Sequence, residues 1–125
     1  MIVLMNSSKT LDMQSLAATR RYTFPELIKD AEKLATVLRT FDSDALADLM
    51  GMSPKLARLN VKRYQQWHTP FSLKNSKQAL AAFGGDVFSG MAVDSYSDKD
   101  FRFAQSHIRI LSGLYGILRP LDLIQ

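Results

Sequence analysis

Apolar positions along the chain change spacing several times, and each change marks an element boundary. Ile2, Val3 and Leu4 form a short unbroken apolar run closed by Asn6, Ser7 and Ser8. A run of that length ending in turn-forming residues predicts a strand buried on both faces, with parallel neighbours and flanking helices. From Thr23 the spacing becomes helical: Leu27, Ala31, Leu34 and Leu38 line one face, widened by Ile28, Ala35 and Val37. Thr23 and Glu26 stand at capping-box spacing, and Pro25 falls in the first turn, where its missing N–H costs nothing. A helix over 23–39 follows.

Ser43 opens a second helix through Leu46, Leu49 and Met50, and Gly51 stands where a left-handed C′ glycine ends it. Ser53 and Pro54, an N-cap and a first-turn proline, restart the helix almost at once. The third helix runs through Leu56, Leu59 and Tyr64 to about Trp67. Thr69-Pro70 breaks the pattern. A shorter helix is expected over 75–82, with Phe83 open between helix and strand, and a turn at Gly84-Gly85-Asp86. Acidic residues at Asp98 and Asp100 suit a helix start, with Phe101, Ala104 and Ile108 inward. The end of that pattern, near Ile108 to Leu111, reads as a strand. The fold class is therefore α/β, mainly helical with a few strands, in a single region over 1–125 that holds a helix–hairpin–helix at 43–67.

Composition narrows the class. Apolar residues make up 46% of the 125 and charged residues 22%, a globular balance rather than a disordered one. No window approaches the ~18 apolar residues of a membrane helix, and the short N-terminal run lacks a preceding basic residue, so neither a membrane partner nor a secretion signal is read. The cytoplasm is the expected address. The absence of cysteine excludes thiol nucleophiles and Fe–S clusters. Nothing calls for a cofactor. His68 and His107 have no metal-ligand spacing to another histidine or carboxylate, so no metal site is read.

The net charge of +4 is modest, but its distribution is uneven. Lys55, Arg58, Lys62 and Arg63 fall within nine residues that contain no acid. Lys55, Arg58 and Lys62 share a helix face, just beyond a helix N-terminus whose unpaired N–H groups and dipole favour an anion. Such a site grips phosphates without reading bases.

Residues 46–59 resemble a DNA-binding helix–hairpin–helix: Leu46, Leu49, Gly51, Lys55 and Ala57 fit its pattern and Met52 replaces an isoleucine, while Met50 and Ser53 stand where proline and a second glycine are usual. A wider resemblance rests on Ser8-Lys9-Thr10-Leu11-Asp12, on Phe83-Gly84-Gly85-Asp86-Val87-Phe88-Ser89-Gly90, and on the long block from Leu111 to Asp122. In order and spacing these are similar to the YaaA family of bacterial peroxide stress resistance proteins. The resemblance implies a mixed α/β fold with an inserted helix–hairpin–helix, a cytoplasmic DNA-binding protein of the oxidative stress response, and a role in limiting iron and oxidative damage. Family members are about twice this length, which implies an N-terminal portion whose missing C-terminal half packs on 108–125. The apolar tail from Leu114 to Gln125 agrees, since termini are ordinarily polar and loosely held.

The expected function is backbone contact with double-stranded DNA, bent or damaged duplex included, through Gly51, Ser53, Lys55, Arg58, Lys62 and Arg63. The alternative is an enzyme or small-ligand binder near the first strand. Lys9, which follows that strand, Asp86 beside its glycines, and Arg119 before Pro120 are its candidate residues, completed by residues beyond 125. The balance leans away from catalysis, and a pocket gathering those three would reverse it.

Overall fold

The computed structural model describes residues 1–125 and divides them into two compact units, Met1–Ile28 with Phe71–Gln125, and Lys29–Pro70. The architecture is mixed α/β, mainly helical with a few strands.

In the first unit, β1 (Val3–Asn6) pairs in parallel with β3 (Ile108–Ser112), which pairs antiparallel with β4 (Gly116–Leu118). The parallel neighbour expected of β1 is thus present, but burial on both faces is not. Met5, Ile110 and Leu118 share the inner face, where Ile110 and Leu118 are fully buried. Leu4, Leu111 and Ile117 alternate onto the other face and stay exposed. A run of apolar residues signals two-sided burial only where helices cover both sides, and this sheet leaves one side open.

The tail decides much of this unit. Leu118, Leu121, Leu123 and Ile124 are buried in its core, and Leu111 and Ile117 are the large apolar side chains of 108–125 that stay exposed. The tail also takes the local partners of two other segments. Thr23 does not cap a helix. Its N–H bonds to Leu121 O and its carbonyl accepts from Leu123 N, both at 2.9 Å. With Thr23 held extended, α1 begins only at Ile28 and ends at Leu38. Likewise the helix expected over 75–82 gives way to β2 (Lys77–Gln78), antiparallel to β5 (Leu123–Ile124), and a single turn α4 (Ala79–Ala82). Ala79 N and Leu80 N bond to Asp122 O and Pro120 O, which fixes that exchange. Phe83 joins an isolated bridge with Leu11. Val87 and Phe88, β-prone by type, lie in the short helix α5 (Asp86–Gly90), entered through Gly85 at φ +94°. α6 (Asp98–His107) opens with a complete capping box between Ser97 and Asp100 and buries Phe101 and Ala104.

In the second unit, α1 buries Ala31 and Ala35, and α2 (Ser43–Met50) packs on α3 (Pro54–Gln66) through Leu46 and Ala57. Arg39, just after α1, donates from Nε to Tyr64 O at 2.8 Å and from Nη2 to Trp67 O. Those bonds satisfy carbonyls at the end of α3, where four are always left over.

Candidate nucleic-acid interface

The hairpin is built from short-range signals that all agree. Asp42 caps α2, accepting from Ala45 N at 2.8 Å. Gly51 ends it at φ +59°, ψ +46°, and the N–H groups of Gly51 and Met52 both return to Ala47 O. A Cβ built on Gly51 meets nothing within 4 Å, so glycine is needed there for its backbone angle alone. Ser53 then caps α3, its Oγ accepting from Leu56 N at 3.3 Å.

Several free N–H groups are expected at the start of α3, and from its first helical residue, Pro54, onward the structure leaves one. Pro54 has no N–H, Leu56 N is taken by Ser53 Oγ, and Ala57 N bonds to Ser53 O at 2.9 Å. The Lys55 N–H remains. The serine standing in the place of a second glycine is the reason, because its side chain fills one of the vacancies itself.

Lys55, Arg58 and Lys62 are exposed and form no ion pair, so their charges face solvent on one side of α3. Arg63 is set apart from them. It is half-buried, and its Nη1 is buried without a hydrogen-bond partner. Desolvation lowers its pKa from the usual arginine value. The adjacent Tyr64 hydroxyl is pushed up, again by burial. Trp67 is 2% exposed and packs into the unit.

The first unit brings two of the family-like segments together. Leu11 bridges Phe83, Gly84 N donates to Thr10 O at 2.9 Å, and Asp12 N donates to Ala82 O at 2.7 Å. Beside this pairing, beyond the end of β1, is an open cavity of about 430 Å³. Asp86 lines it, but Lys9 and Arg119 do not. Arg119 is occupied elsewhere. Its backbone N–H and its Nε and Nη2 all donate to the fully buried Asp122 carboxylate, and Nη2 also reaches Phe24 O at 2.9 Å. The hydrogen bonds it donates to Asp122 raise its pKa above the usual value. Arg119 therefore pins the tail to the segment around Phe24, and the three candidates Lys9, Asp86 and Arg119 do not form one site.

Sequence reasoning passed over a second buried cation. Lys77 has a side chain only 8% exposed, and its Nζ donates to Asp12 O at 2.9 Å and to Ser15 Oγ at 3.2 Å, with Asp12 Oδ2 at 3.6 Å. Asp12 accepts from Ser15 Oγ and from the N–H groups of Ser15 and Gln14, which hold its carboxyl far below the ordinary carboxylate range. Nothing in the local sequence marks Lys77, because its partners lie more than sixty residues away. The three groups saturate one another and act as a latch on the loop after Asp12.

The long block from Leu111 to Asp122, the paired segments around Leu11 and Phe83, and the hairpin all fall within one match: a family model described as peroxide stress protein YaaA covers residues 1–125. The chain belongs to the YaaA peroxide-stress family.

Proposed function

We propose that this protein binds double-stranded DNA through the phosphate backbone, without reading bases, as part of the cytoplasmic response to peroxide stress. The observation that carries the reading is the row Lys55, Arg58 and Lys62, exposed and unpaired on α3, beside the free Lys55 N–H. A helix N-terminus with an available N–H attracts a phosphate oxygen, and the three side chains extend that contact along a strand. Phosphate contacts of this kind tolerate any sequence and follow duplex shape, so bent or damaged duplex is an acceptable ligand. Three cations support weak binding, on the order of micromolar at moderate salt. No helix is long and apolar enough to cross a membrane.

Fluorescence anisotropy of labelled duplexes across a salt series tests the proposal. Lys55→Ala with Arg58→Ala is expected to weaken binding equally for all sequences and to flatten the salt dependence. Wild-type affinity and slope in that double variant would make the hairpin purely structural.

A further inference from the structure

The open cavity in the first unit is a second site with different chemistry. It lies beyond the carboxyl end of β1, where a strand paired in parallel hands over to a loop, the usual place for ligands in α/β sheets. Its volume, about 430 Å³, falls in the range of small-molecule pockets. Its walls are fixed. The Gly84–Thr10 and Asp12–Ala82 bonds join the two loops, and a Cβ on Gly85 would stand 3.4 Å from Ser8 Oγ. Phe88, 6% exposed and packed against Phe83 at 5.4 Å between ring centroids, closes one side.

The lining divides into an apolar part, with Met5 and Phe88, and a polar part, with Asn6, Ser8 and Asp86. Asp86 supplies the one formal charge in that lining, and its carboxylate has neither an ion-pair nor a hydrogen-bond partner. An open cavity with one apolar side and one unpaired carboxylate on its polar side complements a cation on an apolar body, since a charge-assisted N–H···O⁻ bond is the strong contact available there.

We propose that this cavity binds a small primary amine with an apolar body, the ammonium on Asp86 and the body against Phe88 and Met5. The proposal rests on residues of the first unit and on none of the hairpin.

The test uses three matched probes, phenethylamine, 2-phenylethanol and phenylacetate, titrated into the ¹⁵N-labelled protein. Phenethylamine is expected to give saturable amide shifts at residues 6–8 and 85–88. The neutral alcohol is expected to bind at least ~10-fold more weakly, and the anion not at all. Asp86→Asn is expected to bring the amine down to the affinity of the alcohol while the remaining spectrum is kept. The ranking of the three probes on wild-type protein is read separately, so it stands even if the variant folds poorly. Equal binding of all three probes, no saturable shift at those residues, or an unchanged affinity in Asp86→Asn would overturn the proposal. Lys55→Ala with Arg58→Ala is expected to leave amine binding untouched.

Discussion

Asp122 and Thr23 meet across 99 residues: Thr23 Oγ1 donates to Asp122 Oδ1 at 2.5 Å, and the carboxylate has no exposed surface. The same carboxylate holds Arg119, so one buried anion joins the tail, the Thr23 segment and a cation. Asp122→Ala leaves the hydroxyl and the guanidinium without their partner. The expected cost is about 3 kcal/mol, the low end for breaking a buried pair, because Arg119 is about a quarter exposed and regains some water. Asp122→Asn keeps an acceptor for Thr23 and is expected to lose less. Urea unfolding of both variants gives the order, and equal losses would mean that the hydrogen bond to Thr23 contributes little.

Gly51 offers a cleaner test of backbone angle than most turn glycines, since a side chain there meets no neighbour. Substitution costs are then set by φ alone. Gly51→Ala is expected to lose roughly 1–2 kcal/mol and Gly51→Asn less, because Asn tolerates the left-handed region. Gly51→Val is expected to lose most, its branched side chain fitting worst at positive φ. Thermal unfolding checks the order Asn, Ala, Val. A Val variant as stable as the Asn variant would contradict it.

Arg63 and Arg58 sit five residues apart on α3, and the two are expected to behave differently. Arg58→Ala removes an exposed cation and is expected to lower the salt slope of DNA binding by about one. Arg63→Met replaces a half-buried guanidinium whose Nη1 lacks a partner. It is expected to leave the slope unchanged and stability equal or higher, because an unpaired buried donor carries a desolvation cost of ~1–3 kcal/mol. A slope change for Arg63→Met equal to that of Arg58→Ala would place Arg63 in the interface after all.

Two carboxylates predict the acid response. Hydrogen bonds from Ser15 and Gln14 lower the pKa of Asp12, and those from Ser97 lower that of Asp100. Groups whose folded pKa lies below the unfolded value stabilise the fold above the unfolded value, near 3.8 here, and lose that contribution as pH falls through the folded one. Stability is therefore expected to be flat for these two groups at neutral pH and to drop as pH falls below about 4. Urea midpoints at a series of pH values from neutral to pH 3 measure this. Asp12→Asn is expected to give a shallower acid limb, and an unchanged limb would remove Asp12 from the account.

The elements legible in the sequence are those whose causes are local. The stop at Gly51, the restart at Ser53-Pro54 and the acidic helix start at Asp98 and Asp100 have causes within three or four residues, so spacing alone specified them, although the capping box that Ser97 forms with Asp100 was not read. The exposed row on α3 was legible for the same reason, since helical periodicity places Lys55, Arg58 and Lys62 on one face. The inward turn of Arg63 depends on what packs beside it, and no periodicity carries that. Thr23 and Glu26 have as good a capping pattern as any in the chain, yet Asp122 and the tail backbone outcompete it, and a partner 99 residues away leaves no local trace. Residues 77–82 split between strand and helix by the same competition, and Lys77 is a buried cation only because the loop after Asp12 folds over it. The open outer face of the first sheet and the cavity beside Asp86 are properties of assembled surfaces. Apolar runs and glycines record what each residue prefers, while long-range hydrogen bonding and coverage decide which preferences are met.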